Sequence, residues 1–196
     1  MNETESSVVN VFDDAIQTLP IAATEQGSLE ATSQAFFSMV EHIRQEGIHR
    51  STASRLNLHY LTYPQMRRLY PDEGSQLVSL AVHRASRMLK NQEVLPDGLM
   101  FDLDRNLSTL VLQGQRFVLS VRSHGGRLHL PVDMTQLSAQ LKEHLSQGLV
   151  PRIITGALFR MFDADQRMVV RVIARLSPSR SLQAGDASTA AMEIAA

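Results

Sequence analysis

Apolar residues recur at helical spacing in the first half of the chain. A helix is predicted to begin near Ser28, a suitable N-cap, and to end at Gly47. Its apolar stripe comprises Phe36, Met39, Val40 and Ile43. A later helix is predicted over residues 74–91. Its apolar face comprises Leu77, Leu80, Ala81, Ala85, Met88 and Leu89. Two amphipathic helices of this kind indicate a helical N-terminal half.

The pattern changes to strand spacing after the turn Pro96-Asp97-Gly98, where we place a domain boundary. Four short strands separated by turn-forming residues are predicted over 99–103, 108–112, 116–121 and 127–132. Consecutive strands with short connections favour an antiparallel meander. A helix over residues 134–146 follows and stops at Gly148.

Residues 149–176 fit two patterns. In the first, residues 158–162 and 167–176 form a β-hairpin. In the second, Pro151 starts a helix that runs through Phe162. The second pattern would give residues 127–162 the order of a ribbon-helix-helix DNA-binding unit, in which Arg127 and His129 point from a strand into the groove of DNA.

The sequence therefore predicts an α+β fold, a helical N-terminal half followed by a small antiparallel sheet with one or two helices. Residues 1–27, acidic and rich in Ser, Thr and Ala, are expected to be a flexible arm. Residues 28–95 are assigned to a helical domain and residues 97–176 to an α+β domain for dimerisation or partner binding. Residues 177–196 are predicted to be a disordered tail.

Charge is strongly segregated along the chain, although the net charge is only −1. Residues 1–41 hold seven acids and no Lys or Arg, whereas residues 42–90 hold eight Lys and Arg against three acids. This asymmetry predicts one basic face. The absence of Cys excludes disulfides and thiolate chemistry, and neither a signal-peptide pattern nor an apolar run of membrane length is present. We expect a cytoplasmic protein.

The basic segment centres on residues 47–70, which resemble a helix-turn-helix. Ser51 would cap a short helix through Leu56, Asn57 would make the turn, and Thr62 would cap a second helix with Pro64 in its first turn. The core shared by the two helices would comprise Leu56, Leu58, Met66 and Leu69. An ordinary helical hairpin shows the same pattern, so both interpretations stay open.

If the second helix enters the major groove, polar residues near its N-terminal half are the candidates for base contacts. These are Thr62, Gln65 and Arg68. Phosphate contacts, which position a protein on DNA without specifying sequence, would come from Arg50, Arg55 and Arg67. The helix over 74–91 would extend the phosphate-facing surface with Arg84, Arg87 and Lys90.

Catalytic and metal-binding motifs are missing from the sequence. It contains no glycine-rich phosphate loop, no G-x-S-x-G and no H-E-x-x-H, and no His has a second His three or four residues later. Asp163-Ala164-Asp165 begins like a calcium loop but lacks the Gly and the terminal Glu that such a loop requires. We expect a protein that is not an enzyme and has no cofactor or metal.

Three short strings in this segment resemble the D subunit of the flagellar FlhDC-type transcriptional activators. They are Gly47-Ile48, then Leu61-Thr62-Tyr63-Pro64-Gln65-Met66-Arg67-Arg68-Leu69, then Gln76-Leu77-Val78. The resemblance implies a helical subunit, found also on conjugative elements, that assembles with a second subunit and binds promoter DNA. It covers residues 47–79, and residues 99–176 have no counterpart in that family.

Two functions follow as expectations. The first is a transcriptional regulator of bacterial or mobile-element type that binds double-stranded DNA as a homodimer or hetero-oligomer. The alternative is a non-enzymatic adaptor or chaperone-like subunit of a larger assembly, whose basic face meets an acidic protein.

Overall fold

The structure, a computed structural model, describes residues 11–113 and 116–177. Its helices are α1 (Ala23–His49), α2 (Arg55–Leu69), α3 (Ser75–Asn91) and α4 (Ala139–Ser146). Its strands are β1 (Phe12–Gln17), β2 (Leu99–Asp104), β3 (Ser108–Gln113), β4 (Arg116–Ser123), β5 (Gly126–Pro131), β6 (Arg152–Phe162) and β7 (Met168–Ser177). Three helices in the N-terminal half, then antiparallel sheets with one more helix, confirm the predicted α+β class.

The helical layer is built on α1, which packs mainly along α3. Phe36, Met39 and Ile43 of the predicted stripe are fully buried. The helix starts at Ala23, earlier than the predicted Ser28. The Glu25 carboxylate stabilises this earlier start by accepting a hydrogen bond from the backbone N–H of the N-cap residue Ala22 at 2.8 Å. The Ser28 hydroxyl instead contacts the hydroxyl of Ser123, the last residue of β4, at 3.0 Å.

The turn predicted at Asn57 is wrong, because α2 is one continuous helix. Its N-cap is Ser54, whose hydroxyl accepts the Asn57 backbone N–H at 3.5 Å, so Asn57 lies in the first helical turn. The chain reverses before α2 instead, at Ser51, which has a φ of 49°. Thr62, predicted as an N-cap, lies inside α2 and its hydroxyl donates to the Leu58 carbonyl at 2.7 Å.

Residues 152–177 form the predicted β-hairpin, with β6 and β7 antiparallel. The alternative helix over 151–162 is therefore wrong, and so is the ribbon-helix-helix arrangement that depended on it. The neighbouring strand β7 explains the outcome, because it alternates between buried and exposed residues and pairs with β6 along its length. Along β7, Val170, Val172, Ala174 and Leu176 are buried, while the intervening residues Arg171, Ile173 and Arg175 are exposed.

The seven strands divide into two sheets. One has the order β1-β7-β6-β2 and the other the order β3-β4-β5. The second sheet is the predicted meander, but β2, which the sequence pattern assigns to it, pairs with β6. A local feature redirects the chain after β2: the Asp104 carboxylate accepts the backbone N–H groups of Asn106 and Leu107, which makes a side-chain-closed turn.

Part of the predicted flexible arm is folded, since β1 and the start of α1 lie within residues 12–27. β1 pairs with β7, and the Asp13 carboxylate accepts the Arg175 guanidinium at 3.1 Å. β1 contains three polar residues among its six, and two of them are acids. The sequence pattern therefore does not indicate a strand here. Residues 1–10 of the predicted arm and residues 178–196 of the predicted tail lie outside the described residues.

The predicted helix over 134–146 is interrupted. A short 3-10 helix, Met134–Gln136, precedes α4, and each has its own N-cap, Asp133 and Ser138. Between them Leu137 is extended and buried. One hydrophobic core joins the helical and strand-rich parts, with Phe36 of α1 and Phe101 of β2 both fully buried in it.

Candidate interaction surface

The outward face of α2 is apolar. Leu56, Tyr60 and Leu69 expose 61%, 72% and 56% of their surface, and Leu61 exposes 43%. Pro64 and Gln65 are also exposed and lie between them along the helix. The prediction that Leu56 and Leu69 belong to a core shared by two short helices is therefore wrong. A surface helix normally turns such a face towards the core.

The inward face of α2 is narrow. Leu58, Thr62 and Met66, four residues apart, are its buried residues. Leu58 meets α1 at Gly47, where a methyl group in place of the glycine hydrogen would lie 2.5 Å from Leu89 and 2.9 Å from the Thr52 carbonyl oxygen. Glycine at this position therefore lets α3 and the connection between α1 and α2 pack closely against α1. Tyr63, in the neighbouring row, is half-buried against the core, whereas Leu56, Tyr60, Leu61 and Leu69 remain outside.

A groove lies at the C-terminal half of the exposed face of α2. It is lined by Leu61, Pro64, Gln65, Arg68 and Leu69 and has a volume of about 480 Å³. Pro64 also has no N–H to donate to the Tyr60 carbonyl, which leaves that backbone acceptor without its helical partner on the same exposed face. The α2 face thus combines apolar side chains with a few polar groups, as binding surfaces commonly do.

Two residues predicted to contact DNA are buried. Thr62 has no exposed surface. Arg84 lies between α3 and β2, where its Nε donates to the Asp102 carboxylate at 2.9 Å and a second nitrogen also donates to that carboxylate. Burial lowers the pKa of Arg84 by disfavouring the charged form. The hydrogen bonds to Asp102 and the negative charges of Asp102 and Glu93 outweigh this effect and raise the pKa above its ordinary value. Arg84 therefore joins helix to sheet.

Three other predicted cations have partners within the chain. Arg50 pairs with Glu46 at 2.8 Å, and Arg87 pairs with Glu93 at 2.9 Å. Arg67 donates to the backbone carbonyl of Glu73, at the connection between α2 and α3. Arg55, Gln65, Arg68 and Lys90 are exposed.

A small group of cations lies where α2 meets α3. His83, Arg87 and Lys90 are exposed along α3 at spacings of four and three residues, and Arg55 begins α2 nearby. Partial burial lowers the pKa of His83, and the positive charges of Arg55 and Arg87 lower it further. The structure thus brings together part of the predicted basic face, with Glu93 beside it.

Arg127 and His129 lie elsewhere, on β5. Their strand partners are Arg122 and Ser120 of β4, so these four side chains share one face of the three-stranded sheet. One Arg127 nitrogen donates to the Ser120 hydroxyl at 3.2 Å. The predicted DNA contacts therefore do not form one continuous surface, because those on β5 belong to a different element from those on α2 and α3.

The apolar α2 face is the feature that sequence reasoning missed. Its signal was present, since residues 55–69 contain more apolar positions than one core-facing stripe requires. Among residues 11–113 and 116–177, no three His, Asp or Glu side chains come together as a metal site, and no helix is long and apolar enough to cross a membrane.

The chain matches no protein-family model, and no curated protein matches it. The resemblance of residues 47–79 to the activator subunit therefore continues to rest on its three short strings.

Proposed function

We propose that this protein is a non-enzymatic subunit of a larger protein assembly and that α2 is the helix that binds its partner. The observation that carries the proposal is the outward apolar face formed by Leu56, Tyr60, Leu61 and Leu69. Contiguous exposed apolar surface with a polar rim is typical of protein interaction sites. Tyr is enriched among the residues that dominate binding energy.

The exposed apolar side chains of α2 would contribute part of the free energy of binding. Full burial of a Leu or a comparable side chain contributes about 1.5–3 kcal/mol. Four side chains, each more than two-fifths exposed, therefore offer on the order of 4–6 kcal/mol before the entropic cost of association. Such a central cluster of a few residues carries most of the affinity in many interfaces.

A capture experiment tests this proposal. The tagged full chain, its Leu56→Ser/Tyr60→Ser variant and a Phe162→Ser control would be used to isolate partners from the native cell, and bound proteins would be quantified by mass spectrometry. Phe162 is 55% exposed on β6, so its variant removes apolar surface away from α2. We expect the α2 variant alone to lose a protein that the wild type retains, and equal retention by all three would contradict the proposal.

A second candidate is a transcriptional regulator of bacterial or mobile-element type that binds double-stranded DNA as an oligomer. The group of Arg55, His83, Arg87 and Lys90 supports it, because it places several cationic side chains together; beyond the effect of burial, the charges of Arg55 and Arg87 lower the pKa of His83. The resemblance of residues 47–79 to the activator subunit supports it as well. Gln65 and Arg68 would then be the base-contacting residues on α2.

Salt dependence tests this second candidate. Arg87 forms a salt bridge with Glu93, so Arg55 and Lys90 are the main phosphate contacts expected at this group. Two such contacts predict a slope of about −2 for log affinity against log salt, and Arg55→Gln should reduce its size by about one. Fluorescence anisotropy with a labelled duplex would measure both slopes. No duplex binding at low salt would contradict this candidate.

A further inference from the structure

We infer that a cleft between α1 and the connection from α2 to α3 binds a primary ammonium group carried on a short apolar stem. Free aliphatic amines and the lysine side chains of proteins share this chemistry. The inference goes beyond the proposed function and does not depend on it, because it rests on the buried carboxylate of Glu73 and on the residues around that carboxylate.

The cleft has a volume of about 310 Å³, which is at the lower end of the range for small-molecule sites. One wall is α1, where Ala31 and Ala35 lie about one turn apart and leave room beside the helix. Residues 69–73 form the other wall, and His124, in the turn between β4 and β5, also lines the cleft. The size suits a small molecule or a single side chain.

Glu73 is a buried charge without a buried partner. In the part of the chain that the structure describes, the buried charged residues are Glu73, Arg84 and Asp102, and the last two pair with each other. Oε1 of Glu73 lies 3.1 Å from Nδ1 of His124, whose side chain is 48% exposed. Arg122 comes near Gly74, the next residue in the chain, without forming a salt bridge to Glu73. A buried carboxylate costs free energy unless hydrogen bonds or cations compensate it.

The second carboxylate oxygen of Glu73, Oε2, opens into the cleft. The side chain is only 7% exposed, and no donor among residues 11–113 and 116–177 is hydrogen-bonded to Oε2. Among the same residues, no fully buried side-chain oxygen lacks a partner. Oε2 therefore belongs to the small accessible part of Glu73, which lines the cleft. A donor on a ligand would complete the hydrogen bonding of this carboxylate.

The backbones on both sides of this pair are fixed by hydrogen bonds. The Glu73 N–H donates to the Tyr70 carbonyl at 3.3 Å, and the Glu73 carbonyl accepts a hydrogen bond from the Arg67 guanidinium. The His124 N–H donates to the hydroxyl oxygen of Thr32 on α1 at 2.7 Å. Support of this kind holds binding groups in place before the ligand arrives.

The polar groups of the cleft select an ammonium group over a guanidinium. Because His124 already occupies Oε1 of Glu73, a guanidinium could not pair with both carboxylate oxygens, whereas an ammonium ion acts as a point charge and needs only one. Asp72 adds a second, exposed carboxylate, and Tyr70 adds an aromatic ring, a group that attracts cations. The apolar wall of α1 would contact the stem.

NMR titration of the full chain tests the site. n-Butylamine is protonated at neutral pH, as a lysine side chain is, and neutral n-butanol has a similar shape. We expect n-butylamine to shift the backbone amides of Ala31, Glu73 and His124 saturably at millimolar concentration. We expect n-butanol to bind at least about tenfold more weakly, because it lacks the charge. No saturable shift, or equal affinity for n-butanol, would overturn the inference. Tighter binding of n-butylguanidine than of n-butylamine would overturn the choice of an ammonium group.

Three variants assign the binding to the cleft. Glu73→Gln keeps the shape of the side chain but removes its charge, so it should weaken n-butylamine binding by about tenfold or more. The control Glu143→Gln makes the same change on an exposed position of α4 and should leave the affinity unchanged. Ser38→Leu, at an exposed position of α1 that lines the cleft, should block binding without changing any charge. Circular dichroism would verify folding. Unchanged affinity in Glu73→Gln would contradict the inference, and if that variant does not fold, unchanged affinity in Ser38→Leu would do so.

Nα-Acetyl-lysine methylamide separates the two sources of the ammonium group, because it carries the same stem and head on a peptide backbone. Binding as tight as that of n-butylamine would assign the cleft to lysine side chains of proteins. Much weaker binding would assign it to free amines. Neither result bears on the proposal for α2, which partner capture tests separately.

Discussion

The ion pair between Arg84 and Asp102 provides a quantitative test of how the helical layer is attached to the sheet. Their side chains are only 8% and 12% exposed, so water screens the pair weakly. Replacing Arg84 with Met leaves the Asp102 carboxylate without its charged partner. Removing one member of a buried pair costs about 3–5 kcal/mol. We therefore expect Arg84→Met to lower the free energy of unfolding by about that amount.

The double variant Arg84→Met/Asp102→Leu distinguishes an unpaired charge from lost packing. Replacing both members of a buried pair with apolar residues of similar volume is often neutral or stabilising, so most of the lost stability should return. The exposed pair of Arg44 and Glu41 provides a control, because Arg44→Met should change stability by no more than about 0.5 kcal/mol.

Urea unfolding followed by circular dichroism would measure all three effects. With a slope of about 2 kcal/mol per molar urea, Arg84→Met should shift the midpoint down by about 2 M. An unchanged midpoint for Arg84→Met would refute the reasoning, since it would mean that the carboxylate is solvated. A double variant no more stable than Arg84→Met would instead assign the loss to packing.

The remaining predictions concern the helices. Gly47→Ala should destabilise the fold by about 1–3 kcal/mol, because its methyl group would clash with Leu89 and the Thr52 carbonyl. Gly27→Ala has no neighbour within 4 Å and should stabilise α1 by about 0.5–1 kcal/mol. The same urea assay would measure both changes in the free energy of unfolding. Because the pKa of His83 is lowered in the folded state, the unfolded chain binds the proton more readily. The stability that neutral His83 contributes is therefore complete above a pH of about 6.5 and is lost as the pH falls from there through the folded-state pKa. Arg55→Gln should raise the pKa of His83, as followed by NMR titration of its ring protons, and an unchanged titration would place Arg55 too far away to act.

Periodicity in the sequence was sufficient to locate most elements. The helical spacing of Phe36, Met39 and Ile43 predicted α1, whereas alternation along β7 favoured the hairpin with β6 without excluding a helix through Phe162. Periodicity could not assign β2 to its sheet, because the pairing of β2 with β6 joins residues far apart in sequence. It also failed at β1, where a polar strand is stabilised by its neighbour β7 and not by its own composition.

The candidate surface was harder to predict than the fold. A row of Leu residues in a helix indicates a core, and only the packing of the folded chain reveals that Leu56 and Leu69 lie outside. Similarly, the sequence shows that Arg84 is basic but not that Asp102 lies opposite it. Both features depend on contacts between elements, which no local pattern contains.

Amide hydrogen exchange on the native assembly tests the central proposal most directly. The tagged full chain would be isolated with its partner and compared with the free chain. Residues 55–69 should exchange more slowly in the assembly, while the hairpin of β6 and β7 should exchange at the same rate in both. Unchanged exchange across residues 55–69, in an assembly that remains intact during labelling, would contradict the proposal that α2 binds the partner.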